Sequence, residues 1–188
     1  MPKGPLVDAH GLVVPIAHAS HRCDLEAAAR AEMDATADGL AAKFRARLQG
    51  AHTVAFERVA ETKKGVYHVH RQVIPVPADR GDAASLATSF HAAASRAQFA
   101  LEPVAGAFAP DPSDRFFVVD VYDGASGDKQ TLALVQPRDS PARFAPLHFG
   151  RDLLAHALGT PHRAHWKACE LNKNDETALC AKFKALIE

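Results

Sequence analysis

The stretch YHVHRQVIPVP, residues 67–77, alternates polar and apolar residues and then reaches two prolines. Successive side chains of a β-strand point to opposite faces of the sheet. His68, His70 and Gln72 are therefore expected on one face of a strand, and Arg71 on the other. Three polar side chains in a row on one face can bind one ligand together, so this stretch predicts both a strand and a candidate site.

The residue types in this stretch suit chemistry at phosphorus. An imidazole near neutral pH can be a nucleophile when a hydrogen-bond acceptor holds its other ring nitrogen. His70, flanked on both sides, is the natural nucleophile. His68 could orient it or bind a phosphate oxygen, and the Gln72 amide could donate to the leaving or bridging oxygen. The alternative is a half-exposed strand whose histidines face water, since the chain contains 11 histidines.

Length and composition limit the class of protein. The 188 residues, of which 47% are hydrophobic, suit one moderate domain or one domain with an extension. Lysine plus arginine and aspartate plus glutamate both total 22, so no global charge draws the chain to nucleic acid or membrane. Three widely spaced cysteines indicate a reducing compartment, and no apolar run reaches the roughly 20 residues of a membrane span. A soluble intracellular protein without a cofactor or metal is expected.

Hydrophobic periodicity predicts an α+β fold. In the first part we expect a buried strand at 11–16, a helix from about 25 to 48, and a hairpin of strands 52–59 and 65–74. Asp24 is the expected cap of that helix, Gly50 its stop, and Pro75 the end of the second strand.

Helix caps and turn residues also predict the elements of the chain after residue 77. We expect a helix capped by Asp79 or Asp82, a connecting loop at 100–114, and a hairpin at 115–135 that extends the sheet or forms its own. Two more helices should follow, one from FGRDLLAHAL to Gly159 and one over 174–187, capped by Asn174 or Asp175.

The motif H-x-H-x-Q followed by an apolar residue and proline resembles the histidine triad (HIT) superfamily. Upstream, HGLVVP with His18 three residues later is similar to an earlier strand of that superfamily. The resemblance implies a HIT-like antiparallel sheet with a long helix. Glutamine in place of the third histidine leaves nucleophile chemistry open at His70 and puts hydrolysis by the ordinary triad route in question.

A narrower resemblance covers nearly the whole chain. PKGPLVDAHGLVVPIAHAS, VAFERV, the triad stretch, FAPLHFGRDLLAHALGTPHRAHWKAC and the closing helix are similar to the C-terminal region of CwfJ-type proteins. That resemblance implies a HIT-like domain at 1–77, whose first strands precede the KGPL stretch in such proteins, and a second α+β module at 78–188. It also implies a nuclear protein, with a cytoplasmic pool allowed, that works with RNA, the lariat-debranching enzyme and the spliceosome. A homodimer is a further option.

Further residues are candidates for binding phosphate or RNA. Lys63 and Lys64 occupy the hairpin loop, with Arg58 and Arg71 nearby in sequence, although a solvated turn would look the same. His18 precedes the long helix, and the superfamily resemblance places His10 beside His70.

The segment around the FGRD block has a structural interpretation. Arg151 is expected to bind local carbonyl groups, and Trp166 to pack in the core of the second module. The histidines and the cysteine from His156 to Cys169 do not match a known zinc spacing.

Three functions follow as hypotheses. The first is an RNA-processing factor that binds RNA or nucleotide phosphate through the His68, His70 and Gln72 face. The second is a nucleotide hydrolase or nucleotidyl transferase with His70 as nucleophile. The third is a scaffold with a decayed pocket. The sequence leaves open whether the protein is an enzyme.

Overall fold

The computed structural model describes residues 1–60 and 68–188. Its strands are β1 (Gly11–Val13), β2 (His52–Val59), β3 (Arg71–Val76), β4 (Glu102–Pro103), β5 (Asp114–Tyr122) and β6 (Lys129–Pro137). Its helices are α1 (Ala27–Arg47), α2 (Ala83–Arg96), α3 (Phe149–Ala157) and α4 (Lys173–Ile187). The predicted α+β class is confirmed, and the finer HIT-like assignment stays a prediction.

All six of these strands form one antiparallel sheet in the order β1-β3-β2-β5-β6-β4. In its centre, Val54 of β2 lies opposite Ile74 of β3 on one side and opposite Val121 of β5 on the other. The hairpin expected at 115–135 therefore extends the sheet of the first part. The segments 1–77 and 78–188 share this sheet, and their division into two domains stays a prediction.

Helices cover both faces of the sheet. On the face covered by α2 and α3, the core includes the fully buried side chains of Ile74 and Phe117. On the face covered by α1 and α4, it includes Val73 and Phe116. Because neighbouring residues of a strand point to opposite faces, β3 and β5 each contribute to two cores.

The prediction that Pro75 ends its strand was wrong, because β3 continues to Val76 with Pro75 opposite Thr53. β1 pairs with β3 only as far as Val73. Beyond that point the β1 side of β3 has no neighbouring strand among the described residues, and a proline there gives up no hydrogen bond of the sheet. The start of this strand also differs, since His68 and His70 precede it.

Three helix caps were predicted, and one is confirmed. Asp82 caps α2 by accepting a hydrogen bond from the Ser85 amide at 2.6 Å. Asp24 does not cap α1, because its carboxylate instead accepts from the His21 amide at 3.0 Å in a 3₁₀ turn. The cap of α4 is Asn172, two residues earlier than predicted.

The loop and edge predictions need two corrections. The segment 100–114, expected to be a loop, contains the two-residue strand β4 at the edge of the sheet. The strand expected at 11–16 ends at Val13, and beyond it Val14 and Ile16 are exposed.

A cluster of charges joins α1 to the sheet. Arg71 on β3 donates hydrogen bonds to Asp120 on β5 and, at 3.1 Å, to Asp34 on α1. Arg22 donates to the same Asp34 at 2.7 Å and to Glu57 on β2 at 3.4 Å. Four of these five residues are at most 4% exposed, Asp34 being the exception. Mutual pairing is what allows such groups to be buried, since an isolated buried charge is strongly disfavoured.

Glu57 is the member of this cluster with the most perturbed ionisation. Burial raises its pKa from 4.5 to about 7, against the opposing effect of Arg22 and Arg71. Its Oε1 makes no hydrogen bond within the described part of the chain. Near neutral pH the folded protein therefore holds Glu57 partly protonated, whereas an unfolded chain would ionise it.

We predict that Glu57→Gln reduces the pH dependence of stability. A pKa raised on folding gives stability that is fully present below the unfolded pKa and is lost as pH rises through the folded value of about 7. The loss amounts to roughly 3 kcal/mol. Urea denaturation at a series of pH values measures this effect. As the pH rises from about 5 to about 8, the unfolding free energy of the variant should increase relative to that of the wild type.

Comparison of Glu57→Gln with the wild type isolates the contribution of the Glu57 carboxyl group to the pH dependence of stability. Buried neutral histidines such as His10 act with the opposite sign, but they are common to both proteins and cancel. Glu32→Gln, at an exposed position on α1, is the control and should follow the wild-type profile. Parallel profiles for wild type and Glu57→Gln would contradict the prediction.

Candidate phosphate-binding site

A cavity of about 390 Å³ lies where β1, β2 and β3 meet α3 and the first residues of the chain. We call it the His70–Gln72 cavity, and its volume is within the range of small-molecule sites. Its apolar lining includes Leu12, Phe56, Leu147 and Trp166. Its polar lining consists of Lys3, Arg58, His70, Gln72, His148 and Arg151.

The register of the sheet explains the floor of the cavity. Gln72 on β3 lies opposite Leu12 on β1 and opposite Phe56 on β2, so that three neighbouring strands present their side chains in one row. The outer two members of the row are apolar. A single amide between apolar neighbours gives the floor one polar group, which can fix the orientation of a ligand.

The ring of His70 has a defined tautomer. Its Nδ1 lies 3.0 Å from the main-chain carbonyl oxygen of His68. A carbonyl oxygen only accepts, so Nδ1 carries the proton and, in the neutral ring, Nε2 carries the lone pair. The predicted requirement for a nucleophilic histidine, a second ring nitrogen held by an acceptor, is met at this position.

His10 precedes Leu12 of the floor by two residues in sequence. It is fully buried, and its Nδ1 accepts a hydrogen bond from the Leu6 amide at 3.1 Å. Burial first, and then the charge of Arg151, lower its pKa to about 3, while the Gln72 side chain acts in the opposite direction. The ring is therefore neutral over the physiological range and does not supply positive charge to an anion.

Arg151 holds the walls of the cavity together. It is 5% exposed, and its guanidinium donates to the carbonyl oxygens of Gly4, Arg163 and Ala164. The expected structural role of Arg151 is confirmed, and it extends to the first residues of the chain. Beside it, a Cβ on Gly150 would lie only 2.9 Å from the Phe56 ring, so glycine allows α3 to approach β2 closely.

Further cationic side chains reach the cavity. The Arg58 guanidinium lies 5.1 Å from the centre of the Phe144 ring and donates to the Ala145 carbonyl at 2.8 Å, which fixes its position. Lys3 is mostly exposed and its Nζ lies 3.7 Å from the Glu170 carboxylate. A salt bridge so exposed is weak and can be exchanged for an anionic ligand.

The predicted residues His68 and His18 lie together, apart from the cavity. Their ring centres are 4.6 Å apart, and Nε2 of His68 is buried without a hydrogen-bond partner in the described part of the chain. Neither side chain is among the described residues that line the cavity. Of the three polar residues expected to act as a unit, the cavity thus brings together His70 and Gln72.

Arg71 and the two lysines complete the set of predicted residues. Arg71 is 3% exposed on the opposite face of the sheet, where it takes part in the charge cluster under α1. Lys63 and Lys64 lie outside the residues that the structure describes. The role of these three residues in binding RNA or phosphate stays a prediction.

Several lining residues were not predicted. Trp166 was expected in a core, but it is only half-buried and lines the cavity. Lys3 and His148 were not assigned to the pocket either, whereas Arg58 was noted near the lysine loop in sequence. Local sequence carried no signal for these residues, because each reaches the cavity through contacts between distant segments.

Neither a metal site nor a membrane helix is found in the part that the structure describes. Within residues 1–60 and 68–188, no group of three or more His, Cys, Asp or Glu side chains could hold a metal ion. None of the described helices has the length and hydropathy to cross a bilayer.

We predict that Arg151→Met destabilises the fold by about 3 kcal/mol, because carbonyl oxygens of two separate segments lose a charged donor. Urea denaturation measures this loss. Arg96→Met, at an exposed position on α2, is the matched control and should change stability by less than about 0.5 kcal/mol. Equal stability of the two variants would show that the predicted anchoring is absent.

Comparison with known proteins indicates relatives of this chain. Residues 1–90 match the family described as "Protein similar to CwfJ C-terminal". The chain is 32% identical over 193 residues to zinc finger CCCH domain-containing protein 59 of Oryza sativa subsp. japonica, covering 97% of this chain and 29% of that protein.

Animal proteins give a similar result. Identity is 30% over 195 residues to the CWF19-like protein 1 homolog of Caenorhabditis elegans, covering 98% of this chain and 32% of that protein. It is 28% over 193 residues to human CWF19-like protein 1, covering 97% of this chain and 32% of that protein. The chain thus spans about a third of the length of these relatives. The chain is thus similar to the CwfJ C-terminal family over residues 1–90 and to CWF19-like proteins over nearly its whole length.

Proposed function

We propose that this chain is an RNA-processing factor of the CwfJ type that binds RNA or nucleotide phosphate in the His70–Gln72 cavity. It would act in the nucleus, in splicing or intron-lariat turnover with the debranching enzyme. Two kinds of support exist. The matches to the CwfJ C-terminal family and to CWF19-like proteins support the family context. The cavity supports binding of a phosphorylated ligand.

The observation that carries this proposal is the combination of groups in one cavity. His70 and Gln72 can each hydrogen-bond a phosphate oxygen, and Lys3 and Arg58 bring positive charge to the same space. The chain as a whole has no net charge, so such local groups are what an RNA-binding function requires.

The apolar lining suits the rest of a nucleotide. Trp166 is half-buried, with Leu147 also exposed to the cavity, and an accessible aromatic ring is a stacking surface for a base. Such stacking contributes about 1–3 kcal/mol per base. A cavity of about 390 Å³ suits one small molecule. We therefore expect one nucleotide to occupy it, with its phosphate near His70.

Binding of AMP and of a short 5′-phosphorylated RNA tests this proposal by titration calorimetry. His70→Ala or Gln72→Ala should weaken binding about tenfold, the usual effect of losing one hydrogen bond to a charged group. Trp166→Ala should weaken AMP binding but leave inorganic phosphate binding unchanged. His156→Ala, an exposed histidine of α3, is the control and should bind as wild type does. Failure of wild type to bind either nucleotide ligand would refute the proposal.

A second candidate function is nucleotide hydrolysis or nucleotidyl transfer. The hydrogen bond from His70 Nδ1 to the His68 carbonyl supports it, because it leaves the lone pair on Nε2. In this mechanism Nε2 attacks phosphorus, a P–N bond forms, and the bond from phosphorus to the leaving group breaks with its electron pair. Water or an acceptor hydroxyl would then displace the imidazole from phosphorus. Gln72 would donate its amide to the leaving or bridging oxygen.

Trapping of a covalent phosphoramidate distinguishes the two functions. Wild type incubated with a radiolabelled dinucleotide or nucleoside phosphoramidate should retain label at neutral pH if His70 is a nucleophile. His70→Ala should retain none, and His156→Ala should label as wild type does. Absence of label from wild type with every substrate, while AMP still binds, would leave the binding function and exclude the enzymatic one.

A further inference from the structure

We propose that His10 is a positioning residue that orients the Gln72 amide so that its NH₂ group faces the His70–Gln72 cavity. The inference rests on the proposed function, since it assigns the recognition of phosphate to the donor end of Gln72. His10 would then contribute through Gln72, and not by contacting phosphate itself as the sequence had suggested.

The first step is the position of His10. In the sheet, Gly11 lies opposite Val73 and Leu12 opposite Gln72. His10 precedes this pairing by one residue, so its side chain is on the same face as those of Leu12 and Gln72 and diagonal to Gln72. Gln72 lines the cavity, whereas His10 is fully buried and does not line it.

The second step is the tautomer of His10. Its Nδ1 accepts the Leu6 amide proton at 3.1 Å. In a neutral ring the proton must then lie on Nε2, which makes that atom a donor. Nε2 is fully buried and makes no hydrogen bond in the part of the chain that the structure describes. A buried donor in this state favours any acceptor that can turn toward it.

The third step concerns Gln72. An amide can present either its oxygen or its NH₂ group to a neighbour, so its partners decide its orientation. The Gln72 side chain favours the protonated form of His10, as an acceptor of the Nε2 hydrogen does. With the oxygen toward His10, the NH₂ group is left for the cavity. The floor of the cavity then presents a hydrogen-bond donor, the NH₂ group of Gln72. This group suits an anionic ligand and disfavours a ligand that has only donors.

The consequence is a defined coupling between two residues. Without a donor at position 10, the Gln72 amide is free to turn and to present its oxygen to the phosphate. The amide oxygen and the phosphate oxygens repel each other. In a protein that already lacks the amide, the same loss should have no effect on binding.

A double-mutant cycle on AMP binding tests this coupling. His10→Leu should weaken AMP binding about tenfold in the wild-type background and leave it unchanged in a Gln72→Ala background. His10→Gln keeps a donor near the position of Nε2 and should restore most of the affinity. Equal losses from His10→Leu in both backgrounds, the result of a merely structural role, would overturn the proposal.

A second measurement needs no ligand and no change at position 10. In ¹⁵N NMR of the ligand-free protein, His10 should show the Nε2-protonated tautomer, and its Nε2 proton should exchange with water faster in Gln72→Ala than in wild type. An unchanged exchange rate would refute the contact even if AMP binds. The opposite combination separates the two proposals. If AMP does not bind but the Nε2 proton of His10 exchanges faster in Gln72→Ala, the proposed function is refuted and the His10–Gln72 contact is supported.

Discussion

The hydrogen bonds of the Arg151 guanidinium are the interaction on which the rest of the site depends. They join a residue of α3 to the main chain at Gly4 and to the turn before Trp166. A planar cation with several donors can satisfy carbonyl oxygens that come from separate segments, which a lysine cannot do with equal geometry. The cavity exists because these segments are held around the end of β3.

The alternation of side chains along β3 separates two kinds of chemistry. Arg71 points to α1, where its charge is compensated by Asp34 and Asp120. Gln72 points to the cavity, and the next residue, Val73, returns to the α1 side. A shift of register by one residue would exchange these environments and bury an amide among charges. The charge cluster therefore fixes the register that presents Gln72 to a ligand.

Local patterns predicted most of the elements and the position of Gln72 and Arg71 on opposite faces of a strand. The α+β class, the long helix, the Asp82 cap and the hairpin near 115–135 followed from periodicity and turn residues. Errors occurred where neighbouring residues compete for one role, as with Asn172 and Asn174 at the start of α4.

Long-range contacts were beyond prediction from local patterns. Arg71 and Asp120 are 49 residues apart in sequence, and Arg151 is 147 residues from Gly4. Nothing in the sequence near Arg71 distinguishes a buried partner of Asp120 from a surface arginine. For the same reason Trp166 was assigned to a core, since only the tertiary fold shows that its ring faces a cavity. The role of Arg151 in the FGRD block was predicted correctly, because two of its carbonyl partners lie close to it in sequence.

The position of Pro2, Lys3 and Gly4 on the cavity wall has a practical consequence. Met1 itself, however, lines a second cavity, together with Phe183 and Ile187 of α4. The first four residues therefore connect the lining of two cavities, one containing His70 and one beside α4. Because Met1 and Ile187 line the same cavity, an attachment before Met1 and an attachment after α4 would start close to each other.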